Sequence, residues 1–359
     1  MKTFILSVCL FLISFTYAQN RIFTHTATSE TIQNGYTYLN HPMLNDNANA
    51  KIILTHNWNP GGVGGVLNNK RSGVYYNGSL GKWAIYNEDL SAVIPNSSYN
   101  VYINFDDDVI VVASSTVDPP SSILEFDHPL VIGNPDAMLG VQTYWNPNET
   151  TNNHTYGVEY DGDSWFIYNE GLTGIPPGAA FFVLINGLGV QNARHLSNDT
   201  NENENGTMID HPLLNNNPNA VFIISHVYGV DGANQDINAQ LGVYYNLNVE
   251  KWVIFREDLI LIPTNAAFNL FIHDSSMATD EMTASEFKIY PNPVKDILNI
   301  SNEKTIEKAE IFDLTGKTFI QKAINSNQTE IDMSRLPAGI YLVKIQSEGK
   351  TQTQKVIKK

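Results

Sequence analysis

Apolar residues along this chain come in short runs. Lys51-Ile52-Ile53-Leu54-Thr55-His56 and Ala179-Ala180-Phe181-Phe182-Val183-Leu184-Ile185 are β-branched or aromatic and bounded by Asn, Gly or Pro, which predicts strands. Between Gly73 and Glu88 two such runs flank Asn77-Gly78-Ser79-Leu80-Gly81. Asn-Gly favours positive φ, so a hairpin with a slightly long loop is expected there. Along its second arm Trp83 and Ile85 point to one face and Ala84 and Tyr86 to the other. Both faces are apolar, which places the hairpin near the centre of its domain. No segment sustains a 3.6-residue apolar period. Strands about every ten residues, separated by turn signals, predict an all-β chain of small sandwiches or partly open barrels.

The runs recur as blocks. His41-Pro42, His128-Pro129 and His211-Pro212 head three matching segments. Each is followed by an Asn-rich turn and an apolar strand ending in Trp58-Asn59-Pro60, Trp145-Asn146-Pro147 or Val227-Tyr228. A Gly-Val pair then opens the hairpin (Gly73, Gly157, Gly242), and its second arm begins at Trp83, Trp165 or Trp252 and closes on Glu88, Glu170 or Glu257. An Ile-Pro pair (Ile94, Ile175, Ile262) leads into a last apolar strand. A period of about 80 to 87 residues is too long for a solenoid unit and long enough for an independent small domain. The copies are placed at 19–106, 107–187 and 188–274, with a polar linker at 275–287.

Met1-Lys2, the apolar stretch from Phe4 to Phe15 and Thr16-Tyr17-Ala18 read as a secretory signal peptide cleaved near Ala18. The single cysteine, Cys9, lies inside it, so no disulfide is expected in the mature chain. No later stretch has the roughly 20 continuous apolar residues of a spanning helix. Of 21 basic and 37 acidic residues, 12 and 8 lie from Lys288 onward; setting Lys2 aside, 8 basic face 29 acidic residues between Gln19 and Phe287. A body this acidic repels nucleic acid and anionic membranes, so neither is expected as a partner.

After the linker stand Tyr290-Pro291-Asn292-Pro293, Leu298-Asn299-Ile300, a block containing Asp313 and Gly316, a block containing Gly339 and Tyr341, and the ending Lys355-Val356-Ile357-Lys358-Lys359. Over about 288–359 this order resembles the type A C-terminal sorting domain of the type IX secretion system of the Bacteroidetes. The apolar runs from Ile297 to Ile357 read as six or seven short strands, and the resemblance implies that they form an Ig-like sandwich recognised by the outer-membrane translocon. It also implies delivery to the outer cell surface or beyond, with removal of the tail near 275–287. The repeated blocks resemble a domain of uncharacterised function found in secreted bacterial proteins, which adds no chemistry.

Candidate chemistry is sparse. His41, His128 and His211 lack the spacing that puts two metal ligands on one element, and capping of a turn is expected of them. A glycosidase needs two carboxylates across a bond. Glu88 with Asp89, or Glu257 with Asp258, would point to opposite faces of a strand, and copy two has Gly171 instead. A carboxylate bonded to loop amides is therefore expected. Trp83, Trp165 and Trp252 alternate with Ile85, Ile167 and Ile254 and are assigned to the core. Trp58, Trp145 and Tyr228, beside loops, are the candidate ligand contacts. Asn45-Asp46-Asn47 and Asp106-Asp107-Asp108 offer oxygens to calcium without an EF-hand pattern; no other cofactor is indicated. The function expected is a secreted, non-catalytic repeat protein that binds a glycan or surface protein multivalently. The alternative is a secreted hydrolase using a carboxylate in one copy.

Overall fold

The computed structural model describes residues 21–105, 109–146, 148–186, 190–273, 287–313, 318–337, 339–347 and 350–359. The signal segment with its cleavage site, Asp106-Asp107-Asp108, all of the 275–287 linker but Phe287, and Gly316 lie outside the described residues. The chain divides into two compact units at Asp274/Ser275.

The first unit holds all three copies. Each copy builds an antiparallel triplet: an outer strand (Ile22–Thr26, Val109–Ala113, Val190–Leu196), an inner strand (Lys51–Asn57, Leu139–Tyr144, Phe222–Tyr228) and, between them, a return strand (Ser98–Asn104, Ala180–Ile185, Ala267–His273). Each also builds the expected hairpin: Ser72–Asn77 with Lys82–Asn87, Tyr156–Tyr160 with Trp165–Asn169, and Leu241–Asn246 with Lys251–Arg256. The return strands are mostly apolar because both their faces are covered, and the asparagines they contain, Asn100, Asn104 and Asn269, are buried with them; all of Ser98–Asn104 and Ala180–Ile185 is buried.

The hairpins do not extend the sheet of their own copy. The hairpin of copy three runs parallel to the inner strand of copy one, with Val243 opposite Asn57. The hairpin of copy one joins copy two, Val74 opposite Tyr144. That of copy two joins copy three, Val158 opposite Val227. The cycle closes, giving sheets of seven, seven and six strands, each drawn from two copies. A lone copy would leave two strand edges unpaired, and exposed edges invite association. Closure pairs the inner-strand and hairpin edges. The sequence period sets the number of copies; it does not reveal that their strands are shared, because a hairpin edge pairs equally well with its own inner strand or a neighbour's.

The cores follow the sharing. The first combines Trp83, Val101 and Ile103 with Phe182 and Leu184 of copy two and Ile223 and Phe271 of copy three. Trp83, Trp165 and Trp252 are fully buried, as their alternation predicts. Each indole N–H donates to the carbonyl of Asn47, Asn134 or Asn217, at 2.8, 2.9 and 2.9 Å, which explains the Asn-rich turn in every copy.

The second unit is a curled five-stranded sheet of Phe287–Tyr290, Ile297–Asp313, Thr318–Asp332, Gly339–Ser347 and Lys350–Lys358. It has fewer strands than the six or seven expected. Ile297-Leu298-Asn299-Ile300 and the run from Lys308 to Phe312 belong to one strand that continues through register shifts between Ser301 and Lys308. Val294, Leu298, Ile300, Ile311, Tyr341, Val343 and Val356 form its core.

Candidate functional site

The thrice-repeated glutamate ends the second arm of each hairpin, where the sheet passes from one copy to the next. Its backbone N–H donates to the carbonyl of Arg71, Thr155 or Gln240 at 2.8, 2.9 and 2.8 Å. Its side chain turns inward and is almost wholly buried, at 2, 1 and 3 % exposure for Glu88, Glu170 and Glu257. In copies one and three the glycine opening the hairpin makes room, while Gly157 of copy two packs on His226 and Tyr168. A Cβ on Gly73 would stand 2.4 Å from Glu88 Oε1, and one on Gly242 2.6 Å from Glu257 Oε1.

Each carboxylate reaches into the next copy. Glu88 Oε2 accepts the Asn152 N–H at 2.7 Å, while Oε1 accepts the Tyr86 hydroxyl at 3.0 Å. Glu170 Oε2 accepts the Ile237 N–H, and Oε1 lies 2.9 Å from His226 Nδ1. Glu257 Oε2 accepts the Asn68 N–H at 3.1 Å; His56 Nδ1 stands 3.5 Å from Oε1, an electrostatic contact without hydrogen-bond geometry. Loop amides were expected as partners of this glutamate. The amides found belong to the neighbouring copy, so the three carboxylates clasp copy one to two, two to three and three to one. Burial pushes the Glu88 and Glu170 carboxyls upward, against Thr143, the Asn152 amide and Tyr86 for the first and His226 and the Ile237 amide for the second.

At the centre of the three inner strands lies a cavity of ≈ 80 Å³ lined by, among others, Thr55, His56, Arg71, Gln142, Thr155 and His226. Its wall crosses the copies. Gln142 Oε1 accepts the Leu54 N–H at 3.2 Å, Thr55 Oγ1 accepts the Ile224 N–H at 2.9 Å, and the Arg71 guanidinium donates to Thr155 Oγ1 at 2.8 Å. His226 lines it too, and its Nε2 is buried without a hydrogen-bond partner. The space and polarity suit ordered water.

Trp58, Trp145 and Tyr228 are half-buried: Trp58 and Trp145 directly follow the inner strands of copies one and two, and Tyr228 ends that of copy three, one at each junction. Trp58 meets Tyr244 edge-on (ring centroids 6.1 Å), Trp145 meets Tyr75 (5.7 Å) and Tyr228 meets Tyr168 (6.1 Å), each ring belonging to the adjoining copy. The Asn after each tryptophan stitches the same junction. Asn59 exchanges two bonds with the Tyr245 backbone (2.9 and 2.7 Å), and Asn146 accepts the Tyr76 N–H at 3.0 Å.

His41, His128 and His211 cap turns: Nδ1 of each accepts the N–H two residues on, at 3.3 Å. In the oxygen-rich turn at Asn45, the Lys82 ammonium already donates to Asn45 and Asn40 Oδ1, at 2.6 and 2.9 Å. Among the described residues no three His, Cys, Asp or Glu side chains are placed to hold a metal. In the tail, Tyr341 is buried and donates to the Pro337 carbonyl at 3.0 Å, Tyr290 is exposed, and Tyr290-Pro291 and Asn292-Pro293 are cis. Gly339 opens a strand; Asp313 closes one.

Sequence reasoning passed over His56, His226 and Arg71. The one signal was positional. Thr55-His56 and Ser225-His226 share a place at the end of the inner strand, where copy two has Gln142-Thr143.

Residues 3–103, 73–176 and 163–272 match the family described as "Domain of unknown function (DUF7452)". Residues 288–359 match "Secretion system C-terminal sorting domain". A curated relative, Beta-agarase D of Zobellia galactanivorans, is 34 % identical over 73 residues, which are 20 % of this chain and 15 % of that protein. Among solved structures, PorZ, a surface component of the type IX secretion system of Porphyromonas gingivalis, matches 35 % of this chain and 24 % of its own at 16 % identity and TM-score 0.19. The four N-terminal Ig domains of Dscam1 isoform 7.44 match 86 % of this chain and 90 % of their own at 9 % identity and TM-score 0.15. Both TM-scores are too low to indicate a shared fold.

Proposed function

This chain belongs to the family of the domain of unknown function DUF7452, carries three copies of that domain ahead of a type IX sorting domain, and, we propose, is a non-catalytic binding protein of the outer cell surface. The sorting domain makes it a secreted or cell-surface protein and implies contact with the secretion system. The binding role is our reading, and one observation carries it. The only acidic residue repeated at one place in all three copies is spent holding the copies together, buried and bonded to a neighbour's backbone. Catalysis by a carboxylate pair needs two such groups flanking a bond of the substrate. These three face the protein.

The closed cycle gives multivalency a rigid form. Three related surfaces stand at fixed spacing, so a ligand engaging one meets the others at an effective concentration set by the fold. The rims at Trp58, Trp145 and Tyr228 are the proposed contacts for a glycan or a surface protein, since half-buried aromatic rings offer both a stacking face and a fixed orientation.

A secreted hydrolase is the second reading. Glu170 favours it, being a carboxyl raised by burial beside a histidine and a polar cavity. Glycan-array binding and hydrolysis assays on the purified protein separate the two. Binding weakened by Trp58→Ala and Trp145→Ala, with no turnover, is expected. Turnover lost in Glu170→Gln or Glu257→Gln, in variants that still melt as the parent does, would replace the binding reading with the hydrolase.

A further inference from the structure

Fourteen non-glycine residues among those described have left-handed backbone, with φ from 48 to 67°. Eleven are Asn, Asp or Glu. Asn and Asp settle in this region because their short polar side chains bond locally. The other three are Leu90 (φ 60°), Leu172 (φ 57°) and Leu259 (φ 62°). They hold one place in the three copies, two residues after the clasping glutamate, and are 65, 81 and 55 % exposed. In each copy, then, a branched apolar side chain occupies a backbone conformation that disfavours it, and it faces water. Neither stability nor solubility is served by this, whereas an interface would be.

The three turns open around one axis. Glu88, Glu170 and Glu257 hang by their amides from Arg71, Thr155 and Gln240, and those three residues line the central cavity together. The Arg71 guanidinium bonds Thr155 and feels the charges of Asp89, Glu170 and Asp258, one from each copy. The three leucine-bearing turns therefore converge on the residues around Arg71. Copy three adds Ile260 and Leu261, 57 and 44 % exposed.

Around these turns most carboxylates are paired or covered, Asp236 near Glu170 being the exposed exception. Asp89 is paired with Lys70 at 2.7 Å and Asp258 with Arg256 at 2.6 Å; copy two has Gly171 in that place. The glutamates are buried. With Arg71, three of the body's eight basic residues gather here, on a body holding 29 acidic ones. Two such bodies repel in most orientations, and the repulsion is least where carboxylates are paired or covered. A face showing one apolar group three times around an axis also meets its own kind in matching positions when turned on itself, which is an isologous contact.

We propose that two copies of this chain associate end to end through the face formed by Leu90, Leu172 and Leu259. The inference does not depend on the proposed ligand role. The test is sedimentation velocity of the full chain over roughly 1–100 μM, at about 0.15 M and about 0.5 M salt. A reversible monomer–dimer equilibrium is expected, tighter at high salt because screening removes the residual repulsion. The triple variant L90N/L172N/L259N should weaken association on the order of a hundredfold. Its melting temperature should stay level or rise, since asparagine suits the left-handed backbone. Should the triple variant fail to fold, L172N, at the most exposed of the three positions, is read in its place. A wild-type chain monomeric throughout, or a variant that dimerises as the parent does, overturns the proposal. So would a monomer whose leucine face captures a different protein.

Discussion

His25 and His195 occupy one place in copies one and three, each donating or accepting a 2.7 Å bond with a threonine hydroxyl, Thr37 or Thr207. Both rings are buried, and burial lowers each imidazole from 6.5 to about 4. Between these two values the unfolded chain holds a proton that the folded chain does not, so stability rises with pH across that window. It is fully present above about 6.5 and drains away as pH falls toward 4. At about 1.4 kcal/mol per pH unit, each histidine withdraws about 3 kcal/mol over the window. Glu88 and Glu170, raised by burial, act in the opposite sense and offset part of the loss. Copy two shows how to remove the effect. Register places Val112 opposite Phe181 as His25 is opposite Tyr99, and Leu124 opposite Ile167 as Thr37 is opposite Ile85. The double variant His25→Val/Thr37→Leu therefore installs a pair the fold already accepts. Urea unfolding followed by tryptophan fluorescence reads the body alone, because all five tryptophans lie within it. Near pH 7 the variant should lie within about 1.5 kcal/mol of the parent. From pH 7 to pH 4 it should lose about 3 kcal/mol less than the parent does. Equal losses would mean that the imidazole is not held neutral by burial, and the reasoning would fail.

Glu170→Ala should destabilise the body by about 3–5 kcal/mol, since it strips the acceptor from the Ile237 N–H, leaves His226 Nδ1 only the Tyr168 hydroxyl at 3.2 Å, and opens a void. The loss should lower one transition of the whole body; early melting of copy two alone would argue against shared sheets. Trp252→Ala should cost roughly 3–5 kcal/mol, with its Asn217 carbonyl left unpaired. A melt close to the parent's would put that indole outside the core. A chelator should leave the melting temperature unchanged, because Lys82 already bonds the Asn45 and Asn40 oxygens; a drop of several degrees would show a bound cation.

Much of the fold can be read from the residues because its signals are local. Trp83 alternating with Ile85, and Asn77-Gly78 between apolar arms, dictate a buried hairpin wherever that hairpin docks. Its docking partner is a non-local choice, and nothing in Gly73-Val74-Tyr75 distinguishes the inner strand of copy one from that of copy two. The part played by Glu88, Glu170 and Glu257 was half visible for the same reason. Their position after a hairpin implies bonding to loop amides, while the identity of the loop depends on the closure of the cycle. In the tail, the polar stretch after Ser301 reads as a break, yet irregular pairing lets one strand run through it. Histidines such as His25 look like surface residues in an alternating strand. Only the threonine opposite, replaced together with it in copy two, marks them as a buried pair.

The central claim is that each copy is completed by its neighbours. Protease sites placed in the connecting stretches at 106–108 and 187–189 of the full chain, followed by cleavage and size-exclusion chromatography with light scattering, test it most directly. No disulfide complicates the result, since the chain has a single cysteine. Three fragments that co-elute as one particle with the parent's melting temperature, and separate only in denaturant, are predicted. Fragments that part on dilution as folded single copies would contradict it.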